Sequence, residues 1–203
     1  MKKTFLLMAC VMWSLVTVTL QAQEAIKILD KSAATLKTAG NVKIGFTYEA
    51  AGGATTGYLK LHGQKFVLST GNSITWFDGK TMWTYVKANE EVNVTTPSAD
   101  AVAKMNPYSF LSFYKKGYTA TMGKSTAREH EVVLTGKGGS PYKRVVVRVH
   151  KSTHYPSSIS MTSAKDVTTT IRCNSFLKNQ KFQESTFRFN QKEFPGAEVV
   201  DLR

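Results

Sequence analysis

From residue 42 onward, apolar and polar residues alternate in one short run after another. The first run, "NVKIGFTYEA", places Val42, Ile44, Phe46 and Tyr48 on one side, and polar residues or glycine on the other. A period of two is typical of a strand with one buried face. The links between runs are too short for the crossover helices that parallel neighbours need. The pattern therefore predicts an antiparallel meander of about ten to eleven strands, the last of them "TFRFN" at residues 186–190.

Two segments break the alternation and are predicted to be helical. In residues 24–39 apolar residues recur every three or four positions, and Gly40 follows as a stop signal. Within residues 98–117, Asn106 and Pro107 supply a helix start. We therefore expect a mainly β fold with helices, of the α+β class. The buried face of the first helix is expected to consist of Ile26, Leu29, Ala33 and Leu36.

The first 22 residues are predicted to be a secretory signal peptide. A basic start, "MKK", precedes the almost wholly apolar run "FLLMACVMWSLVTVTL", and the small residue Ala22 ends the segment. An uncleaved anchor needs about 20 apolar residues, and this run is shorter. The stretch "LMAC" also fits a lipidation motif, but the apolar run continues after Cys10. We expect cleavage before Gln23, export across the inner membrane, and a single domain over residues 23–203.

The charge of the chain limits the partners that an exported protein could have. Lysine and arginine outnumber the acidic residues, and the formal net charge is +13 at pH 7. A positive field attracts anionic surfaces and partners. Outside the cytoplasm these are anionic lipids or acidic proteins rather than nucleic acid. Because the basic residues are scattered along the sequence, solubility is the preferred explanation of the charge.

No pattern of catalytic or metal-binding residues stands out. His150 and His154 are four positions apart, but Pro156 argues against a helix there, and the glutamate of an HExxH motif is missing. Once Cys10 leaves with the signal peptide, Cys173 stands alone in a strand-like run and is predicted to be a small buried hydrophobe. Nothing places a nucleophile beside a base. We therefore predict a non-enzymatic protein with no metal and no cofactor.

Two tryptophans flank an Asp-Gly pair in the stretch "SITWFDGKTMWTYV". Asp78-Gly79 between alternating runs is typical of a two-residue hairpin turn. A turn of that length pairs Trp76 with Thr81. The rings have two interpretations, the wall of an ordinary core or the lining of a cavity for an apolar ligand. The residues expected to share one face of this hairpin are Ile74, Trp76, Trp83 and Tyr85.

Several stretches resemble the periplasmic outer-membrane lipoprotein carrier family (LolA). They are "FDGKTMWTY" with "NEEVNV", "NPYSFLSFYKKGY", "VVVRVHKSTHYPSSISMTSAKDVTTTIRCNSF" and "STFRFNQKEFPGAEVVDLR". The resemblance implies an incomplete antiparallel β-barrel whose open side is closed by helices, one of them a mid-chain lid. It also implies a monomeric carrier that uses no cofactor. Such a carrier accepts lipid-modified proteins from an inner-membrane releasing transporter and delivers them to an outer-membrane receptor.

The resemblance also suggests which residues bind the acyl chains. In the family, ligand contacts cluster on the strand before the DGKT hairpin, and an Arg-Pro at its start helps to latch the lid. This chain has "HGQK" at residues 62–65 instead, so that Lys65 is the remaining cation. The lid residues are expected to be Phe110, Leu111 and Phe113. The groove is expected to be lined by Phe46, Tyr48, Leu59, Leu61, Phe66, Leu68, Trp76 and Trp83.

Two other functions are compatible with the same fold. The groove could hold a free lipid, a glycolipid or another hydrophobic ligand instead of a lipid-modified protein. The protein could also be an interaction or sensor domain that uses the groove to detect mislocalised lipoproteins, although such a role usually needs a further domain. Identifying the material that copurifies with the protein in detergent-free buffer would separate the first of these from a lipoprotein carrier.

Overall fold

The computed structural model describes residues 2–99, 101–102 and 114–203, with side chains from residue 20 onward. The predicted helix start at Asn106 and the predicted lid residues Phe110, Leu111 and Phe113 lie outside the described residues. Among the described residues, no helix is both long and apolar enough to cross a membrane.

The elements are α1 (Lys2–Thr38), β1 (Val42–Ala50), β2 (Gly53–His62), β3 (Lys65–Ser69), β4 (Ser73–Phe77), β5 (Met82–Val86), β6 (Glu91–Thr95), β7 (Tyr118–Met122), β8 (Glu129–Gly136), β9 (Tyr142–His150), β10 (Pro156–Ser163), β11 (Thr168–Leu177) and β12 (Glu198–Asp201), with 3₁₀ helices at Glu184–Phe187 and Gln191–Glu193.

Helix α1 contains the predicted helix and extends N-terminally through the predicted signal peptide. It stops as expected just before Gly40, whose φ of +68° suits glycine. The predicted buried face is wrong at its first position, because Ile26 is 37% exposed while Ala25 is fully buried. Leu29 is buried as predicted, and Ser32 is the next buried residue along the helix. The buried stripe therefore lies about one residue earlier than the apolar pattern indicated.

The chain divides into two compact units, and each is described by itself. Unit 1 comprises Met1–Thr35 and Phe110–Thr168. Its strands follow the order β10-β9-β8-β7, and every neighbouring pair is antiparallel. Along β9, buried positions alternate with half-buried ones, as a sheet with one covered face requires. The fully buried residues of these strands include Val132, Leu134, Val145, Val147 and Val149.

Unit 2 comprises Leu36–Ser109 and Thr169–Arg203, and it carries the candidate site. Its strands follow the order β12-β6-β5-β4-β3-β2-β1-β11. The run from β1 to β6 is the predicted antiparallel meander. The prediction of purely antiparallel pairing is wrong at the end of this run, because β12 pairs with β6 in parallel. The strand predicted at residues 186–190 is also wrong, because Glu184–Phe187 form a 3₁₀ helix.

The twelve strands of the described residues form an open sheet that does not close on itself. Together with α1 they give a mainly β fold consistent with an incomplete barrel, which confirms the predicted α+β class. The strand count is one above the upper prediction of eleven, because β7 and β12 are additional strands and the strand predicted at residues 186–190 is absent. Cys173 on β11 is half-buried rather than buried.

Candidate functional site

One face of unit 2 is built from apolar side chains that are neighbours across the sheet. Residues in register on adjacent strands point to the same face. Ile44, Leu59 and Leu68 form one such row across β1, β2 and β3. A second row beside it crosses β1 to β5 and consists of Val42, Leu61, Phe66, Phe77 and Met82. We call this surface the apolar face; its members are Val42, Ile44, Phe46, Leu59, Leu61, Phe66, Leu68, Phe77 and Met82.

Most of the apolar face is shielded from water. Leu59 is 1% exposed and Phe66 is 3% exposed, and the ring of Phe66 lies 5.4 Å from that of Phe77. Leu61 and Leu68 are half-buried. Tyr48 continues the alternation of β1 and is 39% exposed, so it lies at the rim. The face therefore combines fully buried members with partly accessible ones.

The Phe46 ring depends on a glycine on the neighbouring strand. Gly57 is the cross-strand partner of Phe46. A Cβ at Gly57 would lie 2.7 Å from the Phe46 ring and 2.2 Å from the carbonyl oxygen of Ser69. Because real Cβ atoms do not approach other atoms so closely, only glycine fits there. The glycine therefore leaves room for the Phe46 ring beside β2 within the apolar face.

The β4–β5 hairpin keeps the predicted faces but not the predicted register. Trp76 pairs with Trp83, and the loop contains four residues rather than two. The carboxylate of Asp78 explains the longer loop, because it accepts hydrogen bonds from the backbone N–H groups of Lys80 at 3.0 Å and Thr81 at 2.9 Å. Burial raises the pKa of Asp78, but these two hydrogen bonds and the charges of Arg188 and Lys65 together lower it below its ordinary value. The carboxylate therefore stays ionised and caps the loop.

The two tryptophans do not lie on the apolar face. Trp76 is in register with Val67, whereas Phe66 is in register with Phe77. Successive residues of a strand point to opposite faces, so Trp76 and Phe66 are on different sides of the sheet. The expectation that all eight predicted residues line one groove is therefore wrong for Trp76 and Trp83. We call the opposite surface the aromatic face; it carries Tyr58, Val67, Ile74, Trp76, Trp83 and Tyr85.

The aromatic face is covered by residues 182–194, which we call the C-terminal segment. The Trp76 ring lies 5.7 Å from the Phe189 ring and 5.5 Å from the Phe194 ring, both edge-on. The Tyr85 ring lies 4.7 Å from Phe194. Phe187 is 1% exposed and packs in the same cluster as Val67 and Trp76. Of the two interpretations of the tryptophans, the core wall is therefore the one that the packing supports.

Two ion pairs attach the C-terminal segment to the turns of the sheet. Arg188 Nε lies 3.2 Å from Asp78 Oδ2 in the β4–β5 loop. Lys65, at the start of β3, bonds to the carboxylate of Glu184. Its hydrogen bond and charge lower the pKa of Glu184 below the ordinary value. Lys65, which stands where the family has its arginine, thus pairs with the C-terminal segment.

Sequence reasoning missed this cover, although a signal for it was present. Phe182, Phe187, Phe189 and Phe194 lie within thirteen consecutive residues of the printed sequence. The alternation of Phe187 and Phe189 alone predicts a strand. Four phenylalanines in so short a stretch indicate a segment that packs against the sheet. Glu184 and Arg188 lie among them and can pair with a cation and an anion, respectively.

Known proteins share the family and the fold of this chain. The chain belongs to the outer membrane lipoprotein carrier protein LolA family, whose model matches residues 15–165. An uncharacterised conserved protein from Thermus thermophilus aligns with a TM-score of 0.58 and 12% identity, over 88% of this chain and 99% of that one. The lipoprotein LppX from Mycobacterium tuberculosis aligns with a TM-score of 0.50 and 9% identity, over 79% of this chain and 98% of that one.

Because these sequence identities are so low, the two structures support a shared fold and nothing further. Both are covered almost completely by this chain, so the shared fold includes the whole of each relative. A comparison with curated protein sequences finds no match. Within the described ranges, no group of three or more His, Cys, Asp or Glu side chains is placed to hold a metal ion.

Proposed function

We propose that this protein is a periplasmic carrier that binds the acyl chains of lipid-modified proteins on the apolar face and passes them to the outer membrane. Membership in a family of outer membrane lipoprotein carriers supports the carrier role. The observation that carries the proposal for this chain is the continuous apolar surface across five neighbouring strands, β1 to β5. A carrier of this kind acts by binding and release, and it performs no chemistry on its cargo.

The energetics of acyl chains suit such a surface. Each methylene that is removed from water contributes about 0.8 kcal/mol, so a fatty acyl chain needs an apolar surface in order to cross an aqueous compartment. The contacts of Phe66 and Leu59 with a chain would be apolar and nondirectional. Their sum can be large while each one breaks easily, which allows the cargo to be released to a receptor. We therefore assign the acyl chains to Phe46, Leu59, Leu61, Phe66 and Leu68, with Tyr48 at the rim.

Trp76 and Trp83 are given a different role in this proposal. Because they are on the aromatic face and contact the C-terminal segment, they hold the protein's own chain rather than the cargo. Phe110, Leu111 and Phe113 remain the proposed lid on grounds of family resemblance. An inner-membrane releasing transporter and an outer-membrane receptor are the proposed partners, on the same grounds.

Site-specific photocrosslinking tests the proposal directly. A benzophenone amino acid is placed at Leu68 on the apolar face or, as the matched control, at Trp83 on the aromatic face. Both positions are half-buried, so the two variants differ mainly in the face they probe. The purified protein is then incubated with a triacylated lipoprotein and irradiated. We expect a crosslinked product from position 68 and little or none from position 83.

Two results would contradict the proposal. One is a protein that remains empty under conditions in which a known carrier is loaded. The other is a loaded protein that crosslinks from position 83 as strongly as from position 68. Mass spectrometry of copurified material adds a further distinction, because a free lipid without attached protein would favour a lipid-binding role on the same face.

Sequencing the N-terminus of exported protein tests the signal peptide, and the expected first residue is Gln23.

A further inference from the structure

Two lysines lie side by side on the same side of the sheet as the aromatic face. Lys43 on β1 and Lys60 on β2 are direct cross-strand partners. The Nζ atom of each lies 5.5 Å from the centroid of the Tyr58 ring. Lys43 is exposed and Lys60 is half-buried. The sheet thus holds two ammonium groups over one aromatic ring, in a position that solvent can reach.

This arrangement lacks a full counter-charge within the described part of the chain. Like charges directly opposite one another destabilise a sheet. Burial lowers the pKa of Lys60, the charge of Lys43 lowers it further, and the carboxylate of Glu193 on the C-terminal segment raises it. The ion pairs formed between described residues include neither lysine. An anion between the two ammonium groups would relieve their repulsion.

The surroundings of the lysines supply room and a further donor. Gly45 is the cross-strand partner of Tyr58 and Ser175, so no side chain separates the ring from the serine. The N–H of Gly45 donates to the Ser175 Oγ at 3.2 Å. The hydroxyl proton of Ser175 can therefore point away from the backbone. Leu177, the partner of Lys43 on β11, is 50% exposed beside the pair.

We propose that Lys43 and Lys60, with Tyr58 beneath them and Ser175 at the side, bind a phosphate group. Lysine binds phosphate as a point charge, and each ammonium group brings three hydrogen-bond donors. A phosphate offers several acceptor oxygens, so both ammonium groups and the hydroxyl can bond to it together. The cation–π contacts with Tyr58 hold the ammonium groups in place. The phosphate belongs either to the headgroup of an anionic phospholipid or to a free phosphate ion.

This site is on the opposite side of the sheet from the apolar face, so it is independent of the carrier role. The test compares the wild-type protein with a Lys43→Gln/Lys60→Gln double variant. A Lys137→Gln/Lys165→Gln double variant is the matched control, because it removes the same charge at exposed positions of unit 1. Lys60→Arg keeps the cation and serves as a rescue. Circular dichroism and tryptophan fluorescence show that each variant is folded.

Binding is measured in two arms that separate the two sources of phosphate. One arm titrates inorganic phosphate and follows the NMR signals of residues 43, 60 and 175. The other sediments phosphatidylcholine vesicles with and without phosphatidylglycerol. We expect the double variant at 43 and 60 to bind about tenfold more weakly in at least one arm, since it loses charge-assisted hydrogen bonds. Weakening with inorganic phosphate alone identifies a free-ion site, and weakening only with anionic vesicles identifies a headgroup site.

Three outcomes would overturn the proposal. Wild-type protein that binds neither inorganic phosphate nor anionic vesicles has no phosphate site. A control variant that loses as much affinity as the double variant at 43 and 60 shows that net charge alone is responsible. Retained binding in Lys60→Arg supports a local cation, and loss of binding in that folded variant also contradicts the proposed geometry.

Discussion

Replacing Phe187 by alanine should loosen the C-terminal segment from the aromatic face. The ring is 1% exposed and lies 5.7 Å from the Phe182 ring, edge-on, and 5.8 Å from the ring of His62. It belongs to the cluster that also contains Val67 and Trp76. Truncation to alanine therefore leaves a cavity at the point where the segment is anchored most deeply.

The magnitude follows from the area that the ring buries. A buried phenylalanine removes about 150–250 Å² from water, which at about 25 cal/mol per Å² gives roughly 4–6 kcal/mol as an upper bound. Measured phenylalanine-to-alanine changes in cores cost about 3–5 kcal/mol. We therefore expect the free energy of unfolding to fall by about 3–5 kcal/mol, a large part of the stability of a typical domain.

Urea denaturation followed by tryptophan fluorescence measures this loss. Trp76 and Trp83 are the reporters, and both lie on the face that the segment covers. Val199→Ala is the control, because Val199 on β12 is 46% exposed and its truncation should cost less than about 1 kcal/mol. A loss below about 1 kcal/mol for Phe187→Ala, or a loss equal to that of the control, would refute the inference that this ring anchors the segment.

Three further substitutions test contacts elsewhere in the two units. Asp78→Ala removes the carboxylate that caps the β4–β5 loop and should lower the free energy of unfolding by about 1–2 kcal/mol at pH 7. Since the folded-state pKa of Asp78 is lowered, this difference from wild type should disappear as the pH falls below that pKa. Gly57→Ala should destabilise by about 1–3 kcal/mol or more, because its Cβ would collide with a backbone carbonyl and an aromatic ring. Tyr114→Phe should raise the pKa of Asp30, because the phenol hydrogen bond that stabilises the Asp30 carboxylate is lost.

Each of these substitutions has its own measurement and control. Urea denaturation across a pH series checks Asp78→Ala, and a difference that persists unchanged at low pH would count against an ionised cap. Gly52→Ala is the control for Gly57→Ala, because a Cβ at Gly52 meets nothing within 4 Å. Equal stabilities of the two glycine variants would be inconsistent with the close contact. A pH titration of the Asp30 carboxyl carbon by NMR checks Tyr114→Phe, and an unshifted midpoint would contradict the hydrogen bond.

The parts of the fold that depend on neighbours in sequence could be predicted from the pattern of residues. Period-two alternation located β1, and the stop signal at Gly40 located the end of α1. The faces of the β4–β5 hairpin were also predicted correctly, because they depend only on alternation. Its register was not, because the hydrogen bonds of Asp78 with Lys80 and Thr81 favour a longer loop than the Asp-Gly pair suggests.

The parts that depend on distant residues could not be predicted in this way. Gly45 and Ser175 are 130 positions apart in sequence and adjacent in the sheet, and no local period reports that pairing. The pairing of β12 with β6 is equally remote. The prediction of the groove residues was wrong at Trp76 and Trp83 for the same reason. The large rings of Trp76 and Trp83 suit a ligand cavity and a covered core equally well, and only the position of the C-terminal segment distinguishes the two.

The β4–β5 loop has a consequence for how this hairpin tolerates insertions and deletions. The expected two-residue loop and the observed four-residue loop differ by an even number, and both place Trp76 and Trp83 on the same side. A slip of the β5 register by two residues therefore keeps every side chain of β5 on its own face, and the loop takes up the difference in length. A slip by one residue would instead send Met82 to the aromatic face and Trp83 to the apolar face. Insertions and deletions in this hairpin should therefore be absorbed within the loop, which leaves the pairing of Trp76 with Trp83 unchanged.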